Sequence, residues 1–109
     1  MDESKILSLL GMARKANKLA CGHDGVVGAI RSKKAKLCLL SSDASERLRN
    51  ETEREIGFIK QNIPIEKLKS DMYEIGRATG LKSAVLAVID EGFANALQKL
   101  LTAEQEGNE

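Results

Sequence analysis

Apolar residues recur at helical spacing in five stretches of the chain, and two short unbroken apolar runs lie between them. Ile6, Leu9, Leu10 and Ala13 share one face of a first helix, predicted from about Glu3 to Lys15 and ended by a turn at Asn17-Lys18. Cys21-Gly22-His23 reads as a loop, with Asp24 as N-cap of a second helix that turns Val26, Val27 and Ile30 inward. Leu37 to Leu40 is apolar throughout, as expected of a strand covered on both faces. Ser41 to Ser45 offers several caps for a third helix with Leu48, Thr52 and Ile56 inward. Ile63-Pro64-Ile65 is at most a minor edge strand. Ser70-Asp71 caps a short fourth helix that stops at Gly80, and Ala84 to Ile89 is the second buried strand. Asp90 caps a last helix with Phe93, Leu97 and Leu100 inward, joined by Leu101, and a frayed acidic tail is expected from about Thr102.

Helices alternating with fully buried strands predict an α/β fold: a three-layer α/β/α sandwich with helices on both faces of a small, mixed, largely parallel sheet. The 109 residues fit one domain, with neither linker nor repeat. Phe58, Tyr73 and Phe93 are the only aromatic residues, so the core must be aliphatic, and base-stacking platforms are not expected. No apolar run approaches the roughly 20 residues of a membrane span, and the acidic start is no secretory signal. Cys21 and Cys38 are too few for a zinc site or a disulfide framework, and two free thiols point to the cytoplasm.

The net charge of +1 hides an asymmetry: residues 1–40 carry +5 and residues 41–109 carry −4. Arg14, Lys15 and Lys18 precede the Gly22 loop, and Arg31, Lys33, Lys34 and Lys36 follow the second helix. Such grouping predicts a basic face around the helix start that meets phosphates; the plain alternative is an ordinary solvated surface. Glu46, Glu51, Glu53 and Glu55 interleave with arginines on the third helix, a pattern of i,i+4 ion pairs on an exposed face and not of a metal cage.

Several strings, in this order and spacing, resemble the ribosomal protein L7Ae/L30e family, and within it the short bacterial members of the YlxQ type. They are Leu9 to Ala16, Gly22 with Val26-Val27 and Ala29-Ile30, Ala35-Lys36-Leu37 through Ser42 to Ser45, Ile75 to Ala78 with Gly80, Val85 to Asp90, and Gly92-Phe93-Ala94. Together they span about Lys5 to Leu101. The resemblance implies the α/β/α sandwich and binding of kink-turn RNA by the start of the second helix and the loop before the last strand. There the family usually places glycine, one free position, Asn-Glu and, three residues on, lysine. The polar side chains meet sheared G·A pairs, and the lysine supports phosphate and base contacts. This chain keeps Gly22 but has Asp24, Gly25 and Gly28 at the other positions. An aspartate accepts hydrogen bonds and cannot donate, so half of the amide's contacts are lost. In the later loop, Leu81, Lys82, Ser83 and Ala84 stand where the family touches a base turned out of the stack.

The segment Gly22 to Gly28 has its own logic. Each glycine inside a helix costs about 1 kcal/mol against alanine, which a ligand backbone approaching closely would justify, as would tight packing against protein. Gly25-Val26-Val27-Gly28 spells GxxG, but two valines read as core and not as a strand-clamping loop. His23 lies in position to stack or to meet a phosphate. Its pairing with Cys21 is the best catalytic arrangement present, and it lacks an ordered third group. Cys38 is a core residue. The expected function is non-catalytic recognition of structured RNA, kink-turn or ribosomal, without cofactor, metal or membrane, in company with the ribosome or other translation proteins. The rival is a protein–protein adaptor that kept the fold and lost the RNA.

Overall fold

The computed structural model describes residues 3–106. In chain order the elements are α1 (Ser4–Lys15), β1 (Leu19–Cys21), α2 (Gly22–Arg31), β2 (Leu37–Leu40), α3 (Glu46–Ile59), β3 (Ile65–Lys67), α4 (Met72–Thr79), β4 (Val85–Val88) and α5 (Glu91–Glu106). The strands form one sheet in the order β1-β4-β2-β3.

The sheet is mixed, as expected, but it is not largely parallel. β4 pairs antiparallel with both β1 and β2, and only β2 and β3 pair in parallel. Strands β1, β2 and β3 run the same way, and β4 alone is reversed and inserted between β1 and β2. Burial on both faces comes from the helical layers and carries no information about strand direction.

Strand alternation divides the core in two. Leu37, Leu39, Leu86 and Val88 face α1, α4 and α5 through Ile6, Leu10, Ile75 and Leu97. Cys38, Leu40, Val85 and Ala87 face α2 and α3 through Val26, Ile30 and Ile56. The expected sandwich results, with α1, α4 and α5 on one side and α2 and α3 on the other.

The start of the second helix departs from expectation. Leu19–Cys21, between the predicted turn at Asn17-Lys18 and running into the predicted loop at Cys21, is a strand: its three residues are too few to show an alternation. Cys21 is extended, and Gly22 at φ +82° turns the chain straight into α2. The helix thus begins three residues early, and Asp24 lies inside its first turn instead of capping it. The other caps follow the sequence. The Ser45 hydroxyl accepts from the Leu48 N–H, and Asp71 forms a capping box with Glu74. Gly80, at φ +88°, ends α4, and an Asp90 carboxylate oxygen accepts from the Phe93 N–H. Pro64 immediately precedes the edge strand β3, its carbonyl accepting from the Cys38 N–H at 2.9 Å. The acidic tail expected to fray from Thr102 continues α5 to Glu106; residues 107–109 lie outside the described ones.

Candidate nucleic-acid interface

Register fixes what meets at each end of the sheet. Cys21 and Leu39 both pair with Leu86, and Leu40 pairs with Val85. One end therefore gathers the start of α2, the end of β2 and residues 81–84, which lead into β4. Gly22, His23, Asp24 and Gly25, in the first turn of α2, stand at this end with Leu81, Lys82, Ser83 and Ala84, while Gly28 lies roughly 9 Å further along the helix. The Cys21 thiol joins the two segments: it hydrogen-bonds with Ser83 and feels the charge of Arg14. Its pKa is nonetheless raised, because burial outweighs both. Arg14 is half-buried, and its enclosed Nε has no hydrogen-bond partner among the described residues.

The loop before β4 is held firmly. Thr79 Oγ1 accepts from the Leu81 N–H at 3.3 Å, and the Ala84 carbonyl accepts from the Ser41 N–H at 2.9 Å. Lys82 lies so close over Gly76 that a Cβ there would come within 3.3 Å of the Lys82 Cα. Leu81 remains 43% exposed, and the Lys82 ammonium sits 5.8 Å from the centre of the exposed Tyr73 ring.

The glycines of α2 answer the question posed by the sequence. Gly28 has nothing within 4 Å of where a Cβ would stand, and Gly25 meets only the Ala20 Cβ at 3.8 Å. Tight packing does not require either. Both are exposed, three residues apart, so they bare one flank of the helix backbone to solvent.

The basic side chains do not gather round this helix start. Lys18 and Lys36 flank the far end of β4, where the Lys18 carbonyl accepts from the Ile89 N–H and the Lys36 N–H donates to the Val88 carbonyl. Lys33 and Lys34 belong to the turn after α2, roughly 15 Å along the helix from Gly22. Lys15 is exposed near the end of α1, which leads to that same far end. Arg31 is occupied: its Nε and Nη2 donate to the two Glu55 oxygens at 2.9 and 3.0 Å. The pair raises the Arg31 pKa and lowers that of Glu55. His23 stands between carboxylates, 3.4 Å from Asp24 and 3.2 Å from Glu51. Asp24 itself is fully exposed. Beside the helix start, then, Arg14 and Lys82 oppose Asp24 and Glu51.

Sequence reasoning missed Glu51 and Glu55 as neighbours of α2, because contacts between helices 24 or more residues apart leave no local pattern. It foresaw the ion pairs along α3, of which Arg47–Glu51 closes at 3.2 Å and Arg49–Glu53 at 3.5 Å. It expected no base-stacking platform from so few rings; Phe93 packs against the core, while Tyr73 and Phe58 are both exposed. No group of acidic, histidine or cysteine side chains suited to a metal occurs among the described residues. Cys38 is buried, and desolvation pushes its thiol up to about 11.

Comparison with known proteins places this architecture. The chain is 39% identical over 94 residues to the RNA-binding protein YlxQ of Bacillus subtilis, covering 85% of this chain and 91% of that one. It is 29% identical over 100 residues to the RNA-binding protein YlxQ of Enterococcus faecium, covering 92% and 94%. A Bacillus halodurans protein of unknown function superposes with a TM-score of 0.80 at 34% identity, covering 92% of this chain and 99% of that one. The Giardia lamblia 15.5kD RNA binding protein superposes with a TM-score of 0.68 at 14% identity, covering 91% and 83%, a likeness of fold. The model of the Ribosomal protein L7Ae/L30e/S12e/Gadd45 family matches residues 4–98, and the chain belongs to that family.

Proposed function

We propose that this protein binds structured RNA without catalysing a reaction, and that kink-turn or ribosomal RNA is its target in a translation-related, cytoplasmic role. The observation that carries the reading is the bared flank of α2. Gly25 and Gly28 give up helix stability with no neighbouring protein group to require it, beside a rigid loop presenting Leu81 and Lys82. A ligand backbone can lie against such a flank, with N–H groups of the first helical turn available to a phosphate. Arg14 and Lys82 supply positive charge, while Gly22, Ser83 and Ala84 hold the two segments in place. The names of the bacterial relatives and of the family point to RNA and to ribosomal proteins. Catalysis has little support, since both ring nitrogens of His23 face carboxylates and the Cys21 thiol is disfavoured as a thiolate.

One observation favours the adaptor reading: Asp24 and Glu51 put negative charge where an RNA phosphate would approach. Titration of a fluorescent kink-turn duplex at two salt concentrations separates the readings. RNA recognition requires saturable binding, weaker at high salt and weaker again in Lys82→Glu. An absence of binding at low salt leaves the adaptor.

A further inference from the structure

The far end of the sheet holds a surface that the reading above does not use. Lys18 and Lys36 lie in register on either side of Ile89, so their Cα atoms are roughly 10 Å apart across three strands. By strand alternation both fall on the face covered by α2 and α3. On that face α2 ends in Lys33 and Lys34, and α3 ends in Lys60. All five lysines are exposed, and none has an ion pair among the described residues. Of the acidic groups near this end among the described residues, Glu55 is taken up by Arg31, and Asp90, which caps α5, and Glu91 lead into α5 on the opposite face.

Lysines at helix C-termini complement the helix dipole, which accounts for part of this charge. Two further observations exceed that account. Lys33 and Lys60 occupy left-handed backbone, at φ 63° and 55°, where glycine would be easier, so the side chains are kept despite the strain. Phe58 is 75% exposed, the most exposed large apolar side chain described. It follows Glu55 by three residues on the flank of α3 that Glu55 turns toward Arg31, one turn nearer the lysines. A phenyl ring left in solvent does nothing for a helix dipole.

We infer that this lysine end, with Phe58, is a second RNA-binding surface, one that takes single-stranded RNA. An exposed ring among mobile cations is what a sequence-tolerant single-strand site needs: one base stacks and the neighbouring phosphates meet ammonium groups. One ring is too little apolar surface to hold a membrane, which calls for an apolar helix face or a lipid anchor as well. The surface lies at the opposite end of the sheet from the start of α2, roughly 15 Å along that helix, in a molecule 35 × 30 × 27 Å across, so the two ends would engage separate RNA segments. The inference is independent of the structured-RNA reading.

The test is titration with an oligouridylate of roughly 12 nucleotides, within the length such sites cover. The chain has no tryptophan, so Phe58→Trp introduces a unique reporter. Its emission should be quenched as the oligonucleotide binds. The Phe58→Ala variant should bind roughly tenfold more weakly. Lys18→Glu, Lys34→Glu and Lys36→Glu together should lower the slope of log affinity against log salt by about 2, at roughly 0.7 per phosphate contact. All these positions are exposed, so circular dichroism should show an unchanged fold. The same triple variant should still bind a kink-turn duplex if that RNA uses the other end. Oligouridylate binding with unmoved tryptophan emission, or equal affinity in the wild type and the triple variant, overturns the proposal. So does binding only to vesicles of phosphatidylserine and phosphatidylcholine.

Discussion

Arg31 and Glu55 clasp α2 to α3 by two parallel hydrogen bonds of 2.9 and 3.0 Å, across 24 residues of sequence. The geometry is the two-point fork that arginine makes with a carboxylate and lysine cannot. Its partner exposed, the pair is screened by solvent and its effect on stability is small. Arg31→Lys should lower the thermal midpoint by no more than a few degrees. The sign of the pH dependence follows from the Glu55 pKa, which Arg31 holds below its ordinary 4.5. Its contribution is fully present above that value and is lost as the pH falls through the depressed native one. Wild type and variant should therefore converge in thermal midpoint in acid, and a difference that persists there would refute the assignment.

Gly28→Ala should stabilise the protein by about 1 kcal/mol, since alanine is the better helix former and meets nothing within 4 Å. If the bared flank touches RNA, the same change weakens binding of a kink-turn duplex. Urea unfolding and a fluorescence titration on the same variant read the two effects. Asp24→Asn, Gly25→Glu and Gly28→Lys together test the opposite premise. Gly28 faces open space and Gly25 meets only the Ala20 Cβ at 3.8 Å, so the longer side chains fit. Tighter duplex binding by this variant would mean that side-chain contacts, and not close approach to a bare helix flank, hold the RNA.

Gly11→Ala should do the opposite of Gly28→Ala. A Cβ at Gly11 would stand 2.8 Å from the backbone oxygen of Ala78, so α1 and α4 must part to admit it. Forcing extra volume into a packed contact costs roughly 1–3 kcal/mol, and a denaturation midpoint at or above wild type would contradict the close approach.

Glu3 is buried, and its carboxylate accepts from the Lys69 N–H at 2.8 Å, the Ser70 N–H at 3.0 Å and the Ser70 hydroxyl at 2.7 Å. Glu3→Ala strands these donors, at a cost of roughly 1–3 kcal/mol for a buried polar group left unpaired. Amide exchange at Lys69 and Ser70 should accelerate in the variant, and unchanged protection there would count against the contact.

The two thiols should react unequally. Burial raises both pKa values, but Cys38 reaches about 11 deep in the core while Cys21 is half-buried near Arg14. At pH 8 iodoacetamide should label Cys21 well before Cys38, as peptide mapping would show; equal rates would mean that the core opens readily.

Where local chemistry decides, the sequence was a reliable guide. Ser45, Asp71 and Asp90 start their helices and Gly80 ends one, as read, and both apolar runs became strands lined on two faces. Strand direction was not legible, because burial looks the same for either orientation. The α2 start was misplaced because Cys21 passes from strand to helix without a side-chain cap. The neighbourhood of the candidate site was misjudged for a different reason. Lys18 and Lys33 are close to Gly22 in sequence, yet one strand and one helix carry them to the far end of the sheet. Only the fold brings Arg14 and Ser83 to Cys21, and Glu55 to Arg31.

The place of β4 also sets the order in which the protein can be completed. β1 has a single neighbour in the sheet, and that neighbour is β4; Leu19 waits for Val88, almost seventy residues downstream. During synthesis the first strand therefore leaves the ribosome with its hydrogen-bonding edge unclaimed, and it joins β2 and β3 in one sheet only when β4 arrives to pair with both β1 and β2. Such late, long-range closure slows folding and makes a truncated chain prone to pair with its neighbours.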